Sequence, residues 1–199
     1  MRRIFSFFRR CDIPVAQALR INLTGKLEML DELIKYFPQF VSEVHNSRRA
    51  DPEIILPPAS LTDIAGIEAS IGILLPVSYK SFLSVTRGFR IFGGAVQFNS
   101  GHPFFHDFPP IDKLTPAQQL RITQRGGTWP PPSHGMLCFG EYFRDADGDQ
   151  VLFDVSKGLT NDEYPVIYYS HESVPPTVEQ LADSFSVWLN ECCIQQIQS

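Results

Sequence analysis

The sequence predicts an α+β fold, a mainly antiparallel sheet flanked by helices. Three observations carry this prediction. Helical hydrophobic spacing is clearest in two stretches, residues 24–83 and 177–192. Between them lie short runs rich in β-branched and aromatic residues, separated by Gly, Pro and Asp turn signals. Helices, then strands, then a helix, without a strand–helix alternation, point to an antiparallel rather than a parallel sheet.

The elements follow in chain order. Residues 1–22 have no clear period, and the opening Met-Arg-Arg-Ile-Phe-Ser-Phe-Phe-Arg-Arg is basic and aromatic. Its apolar core is too short for a secretory segment, so a loosely ordered arm is expected rather than a membrane-surface contact or a transit signal. A helix is expected from Thr24, which can cap it, with Leu27, Leu30, Ile34 and Phe37 on one stripe and Leu33 beside it. Pro38 interrupts the pattern, and Phe40, Val41 and Val44 continue it as a kinked second piece. Polar residues 45–51 then lead into Ile54-Ile55-Leu56-Pro57-Pro58. A boundary is expected there, between an N-terminal arm and helical extension (1–53) and a main domain (54–199).

In the main domain, Ser60 or Thr62 can cap a helix whose first turn holds Asp63 near the positive dipole end. Ile64, Ile67 and Ile71 recur at helical spacing with Glu68 outside, and Gly72 suits the stop. Leu75-Pro76 opens a second helix, proline being well placed at a first helical position. Tyr79, Phe82 and Leu83 form its inner face, and Gly88 ends it. Phe89–Phe92 and Ala95–Phe98 make a hairpin about Gly93-Gly94. Residues 99–110 and 126–135 read as loops, with a short helix from Thr115-Pro116 to about Gln124. Met136–Phe143 and Val151–Phe153 make a second hairpin about Asp145-Ala146-Asp147-Gly148-Asp149. Pro165–Tyr169 is a third strand region. Thr177, with Gln180 three residues on, has the capping-box pattern of a final helix. Val178, Leu181, Ala182, Phe185, Trp188, Leu189 and Cys192 would be its buried stripe.

The chain has 199 residues, 43% hydrophobic and 20% charged, with a formal net charge of −5. That suffices for one core with an added arm and argues against wholesale disorder. An acidic balance disfavours phosphate backbones, whose binding rests on Lys and Arg, and suits a basic protein partner. Cys11, Cys138, Cys192 and Cys193 include no C-x-x-C spacing, so neither a disulfide framework nor a zinc knuckle is expected. A reducing, cytoplasmic setting follows as the expectation. The longest apolar runs, such as Ile71–Val77, are far too short to span a bilayer.

Motifs for chemistry are thin. Counted from Asp145 as a calcium loop, the sixth residue is Gln150 rather than Gly and the twelfth is Ser156 rather than an acid, so a hairpin turn is the better reading. His102 and His106 have a metal-compatible helical spacing, but Pro103 and Pro109-Pro110 argue against a helix there. There is no G-x-S-x-G elbow and no phosphate loop. Ser170 and His171 are strand neighbours that face opposite sides. Any cryptic enzyme would have to gather His134 or His171 with an acid. No catalytic residue, metal or cofactor is therefore predicted.

Several blocks together resemble the SUKH superfamily, which includes a fungal cell-wall-synthesis regulator and many bacterial immunity proteins. The first is Leu56-Pro57-Pro58-Ala59-Ser60, Ile64, Ile67-Glu68, Ile71-Gly72, Leu75-Pro76, Tyr79-Lys80 and Phe82-Leu83. Arg87-Gly88 stands where the family usually has Asn-Gly. Then come Gly148-Asp149 with Val151–Asp154, Pro165-Val166 with Tyr168 and His171-Glu172, and finally Ala182, Ser184-Phe185 and Trp188-Leu189. The resemblance covers about residues 54–190. It implies binding rather than catalysis and, in bacteria, frequent encoding beside a toxin. An immunity-type inhibitor would block a basic toxin domain, such as a nuclease, through a stoichiometric interface. The candidate surface is Asp107, Asp112, Glu141, Asp145, Asp147 and Asp149, with Trp129 as an apolar anchor in its proline-rich loop. The alternative is a regulatory scaffold of the fungal type, with residues 1–50 serving a cellular partner.

Overall fold

A computed structural model describes residues 31–46, 54–91, 96–98, 135–142, 149–170 and 177–192. The expected helix start at Thr24, the loops at 99–110 and 126–134, and the short helix at 115–124 lie outside these residues.

A 3-10 turn, Glu32–Lys35, precedes helix α1, Pro38–Asn46. Pro38 takes the first helical position, where its missing N–H costs nothing, so the expected break is a restart. Phe40, Val41 and Val44 form the buried face of α1. One of its early backbone donors is capped from far away: the Phe40 N–H donates to Asn190 Oδ1 at 3.2 Å.

Strand β1, Ile54–Ile55, leads to α2, Leu61–Ile71, and α3, Val77–Leu83. Ser60, not Thr62, is the cap of α2. Its hydroxyl accepts from the Asp63 N–H while the Asp63 carboxylate accepts from the Ser60 N–H, a reciprocal capping box. Gly72 closes α2 at φ 68°, its N–H donating to the Glu68 carbonyl. Pro76 stands one position outside α3, and the helix ends at Ser84, before Gly88.

The strands are β2, Phe89–Ile91; β3, Val96–Phe98; β4, Met136–Tyr142; β5, Gln150–Asp154; β6, Val166–Ser170; and β7, Thr177–Ala182. They form one seven-stranded sheet in the order β1-β2-β3-β4-β5-β6-β7, every pair antiparallel. The three expected strand regions are all present. The registers Ile91↔Val96 and Glu141↔Gln150 place the chain reversals where the Gly pair and the acidic turn were expected.

The end of the chain differs from its expectation. Thr177 does not cap a helix: residues 177–182 extend along β6 as strand β7. Gln180 uses its side-chain amide on Asp183 instead of closing a capping box. The helical turn begins only after Ser184, whose hydroxyl accepts from the Val187 N–H, and runs as α4, Phe185–Val187, into a π-helical stretch, Trp188–Cys192. Val178 is exposed, while Phe185, Trp188 and Leu189 are fully buried as expected. A short segment with mixed local preference yields to the ladder offered by β6.

Period-two alternation divides the middle strands between two faces. Leu137, Phe139, Val151, Phe153, Val166 and Tyr168 join the main core; Cys138, Leu152, Ile167 and Tyr169 are buried as well, so this part of the sheet is buried on both faces. The main core is aromatic. Tyr79 of α3 and Phe185 of α4 meet Phe139 and Phe153 of the sheet, and Phe82 of α3 packs on both Tyr79 and Phe185, with Tyr79–Phe185 centroids at 5.0 Å and Phe139–Phe153 at 4.2 Å. Such ring pairs each add a fraction of a kcal/mol, up to about 1.5, beyond the area they bury. Residues ahead of β1 belong to this same core. Phe37 packs edge-on to Phe82 and Phe185, and Phe40 stacks on Phe89 at 5.4 Å.

Candidate functional site

The acidic turn was the leading binding candidate, and its described part is Asp149, at the start of β5. Asp149 is fully buried. Its carboxylate accepts the Tyr168 hydroxyl of β6, a charge-assisted contact that ties the root of the β4–β5 hairpin to the next strand. The neighbouring Tyr169 hydroxyl is pushed above its ordinary value by burial and by the Asp149 charge. Asp149 is therefore buried with its carboxylate facing Tyr168. Sequence shows an acid in a turn, and only the strand register brings Tyr168 over it. Glu141 lies in β4, paired with Gln97 and Gln150. Asp107, Asp112, Trp129, Asp145 and Asp147 lie outside the described residues.

The motif residues of the first block are structural as well. Glu68, on the outer side of α2, reaches across the turn: Oε1 accepts from the Leu75 N–H at 2.8 Å and lies 3.3 Å from Lys80 Nζ. The two helices are thus clasped by one carboxylate, which explains the joint presence of Glu68, Gly72, Leu75-Pro76 and Lys80. Arg87 pairs with Asp63 and holds the cap of α2 against the end of α3. Hydrogen bonds from the Ser60 hydroxyl and backbone, with Arg87 adding a smaller part, hold the Asp63 carboxyl below its usual range. Thr86 is fully buried; its hydroxyl lies 2.9 Å from both the Leu56 and Gly88 carbonyls and accepts from the Gly88 N–H. This locks the 56–59 segment beside 83–88.

One clamp was not anticipated. Between β5 and β6 the chain makes a two-residue turn at Asn161 and Asp162, both at positive φ, closed by reciprocal Thr160–Glu163 backbone bonds. Asn and Asp tolerate this conformation best after Gly. The turn is aimed at the start of α3. The Asp162 carbonyl accepts from the Val77 N–H at 3.0 Å, and the Glu163 carboxylate accepts from the Ser78 N–H at 2.8 Å and the Ser78 hydroxyl at 2.6 Å. It satisfies helix donors and places a negative charge at the positive helix end. Thr-Asn-Asp-Glu was the available signal, a turn pair followed by an acid; its target 85 residues away was invisible.

Among the described residues no group of three or more His, Cys, Asp and Glu is arranged to hold a metal, and no helix is long and apolar enough to cross a membrane. Among the described residues, Asp63, Glu68, Thr86 and Glu163 are engaged in clasps and caps.

An open antiparallel sheet with a helix pair clasped by Glu68 and Lys80, and an aromatic core sealed by a C-terminal helical turn, defines an α+β domain whose motif residues serve its architecture. The chain belongs to the SMI1 / KNR4 family (SUKH-1), whose model matches residues 58–191. SUKH domains are protein-interaction modules and are generally non-enzymatic. No curated protein matches the chain.

Proposed function

We propose that this chain is a non-catalytic protein-binding domain that acts as an immunity protein, neutralising a toxin by stoichiometric occlusion. The family match over residues 58–191 carries the reading. The net charge of −5 supports a basic partner, for which an acidic surface raises the encounter rate and selects orientation. A basic nuclease domain in the cytoplasm fits both, since an acidic inhibitor can compete for a cleft built to hold phosphates. The test is co-expression with the product of the adjacent gene. Growth arrest by that product alone, relieved by this chain through a purifiable one-to-one complex, is expected. A harmless neighbour, or toxicity that persists beside this chain, refutes the toxin reading.

A regulatory scaffold drew its support from the segment ahead of the family match. That support weakens, because Leu33, Phe37, Phe40, Val41 and Val44 of this segment are core residues. Folding accounts for them without a second partner.

A further inference from the structure

Helix α2 shows water a face without charge. Its exposed positions are Leu61, Thr62, Ala65, Gly66, Ala69 and Ser70. At 3.6 residues per turn they fall in two adjacent rows, Leu61-Ala65-Ala69 and Thr62-Gly66-Ser70. These rows lie on the side away from buried Ile64 and from Ile67 and Ile71, which pack against the core. The turn that follows exposes Leu74, and α3 opens on exposed Val77. Leu61 is 84% exposed, Leu74 59% and Val77 49%. A Cβ built on Gly66, at the midpoint of α2, would meet nothing within 4 Å.

The charged side chains between residues 61 and 77 are Asp63 and Glu68. Both are turned to use within the fold, Asp63 on Arg87 and Glu68 on Lys80 and the Leu75 N–H. A helix that faces solvent ordinarily carries charged and polar side chains on its outer side. An uncharged outer face with large aliphatic side chains at both ends marks an interaction surface instead.

The charge of the chain and the symmetry of the face say what covers it. The chain carries a net charge of −5, so a second copy meets it with least repulsion across a face that bears no charge. The face is also self-complementary. The row Thr62-Gly66-Ser70 is symmetric about Gly66, so an antiparallel crossing there sets Thr62 of one copy opposite Ser70 of the other. The same crossing carries the Leu61 end of each α2 to the Leu74 end of the other. Short side chains at the crossing let the i, i+4 rows of the two helices interdigitate closely.

We infer that the outer face of α2 is the contact through which two copies of this chain form a two-fold, antiparallel dimer. The patch is smaller than the roughly 20–30 residues a side of a stable interface, so the dimer is weak and reversible. The inference goes beyond the toxin reading, since such a dimer needs no toxin.

Sedimentation equilibrium of the full-length chain tests it, with dissociation expected on the order of 10 μM to 1 mM. The equilibrium should shift towards dimer as salt is raised, because salt screens the repulsion between like-charged copies and leaves an apolar contact intact. Ala69→Glu should weaken dimerisation at least about tenfold, and Ser42→Glu, at an exposed position of α1, less than about twofold. Should Ala69→Glu fail to fold, Thr62→Glu on the same face, where an acid suits the start of the helix, supplies the comparison. A chain that stays monomeric up to about 1 mM overturns the inference and leaves the face to residues 1–30 or to a foreign protein. A dimer that both glutamate variants leave intact, or one that salt dissociates, overturns it as well. None of these outcomes decides the toxin reading, which co-expression tests separately.

Discussion

The helix-covered core and the β7 edge are built from the same chain under opposite rules. In the core, Tyr79, Phe82, Phe139, Phe153, Phe185 and Trp188 are all buried and in ring contact, and the charged groups around them are capped or paired. At the edge, four consecutive residues of β7 face solvent and every charge is negative. Packing of the first kind stores stability, because each ring is surrounded by others and removal leaves a void. Exposure of the second kind stores almost none, because side chains there have given up little water. The difference separates what holds this protein together from what adds little to its stability.

The sharpest way to break that contrast is Phe185→Ala. Phe185 touches Phe37, Tyr79, Phe82, Phe139, Phe153 and Trp188, so its loss opens a cavity joining Phe37, α3 and the sheet. A loss of about 3–5 kcal/mol is expected in urea unfolding. A loss below about 1 kcal/mol would show that the ring network is not the stabilising centre.

Gly135→Ala comes next and probes the backbone beneath the core. Gly135 sits at φ 74°, and an added Cβ would lie 2.6 Å from Ser156 Cβ and 2.7 Å from its Cα. Gly72 has a similar φ of 68° with nothing within 4 Å. Gly135→Ala should therefore cost more than Gly72→Ala, about 1–3 kcal/mol against about 1 kcal/mol. Equal melting temperatures for the two variants would contradict the close approach at Ser156.

The smallest effect is expected at Tyr79, and it has an unusual sign. The Tyr79 hydroxyl is buried with no hydrogen-bond partner among the described residues. Tyr79→Phe removes a desolvated polar group and keeps the ring, so stability should be unchanged or higher by about 1 kcal/mol. Burial raises the Tyr79, Tyr164 and Tyr169 hydroxyls. Their unfolded counterparts ionise near pH 10, so folding stability is intact below that value and falls as pH climbs towards the raised folded values. Tyr79→Phe should flatten this alkaline decline. An unchanged decline would place its origin in the other two tyrosines.

Much of the architecture was legible in local signals. The Ser60–Asp63 cap, the Gly72 stop and the Pro38 restart all rest on interactions a few residues apart, so the residue pattern carries them. The candidate site was less legible. Asp149 reads as a solvent-facing turn acid until Tyr168 of another strand is set over it. The β7 segment shows the same limit in reverse, for Thr177-Val178-Glu179-Gln180 matches a helix start and is a strand because β6 supplies a ladder.

The sequence by itself determined the class of fold, the helix pair and the hairpin strands that follow it, the aromatic character of the core and the acidic balance, since each depends on composition or on spacing within a turn or two. Only the tertiary structure decided which acid is buried, which segment becomes the last strand, and that Asn190 caps the Phe40 N–H 150 positions away. Those outcomes depend on groups distant in the chain meeting in space, where a desolvated donor or charge must find a partner and no local pattern says which one it will be.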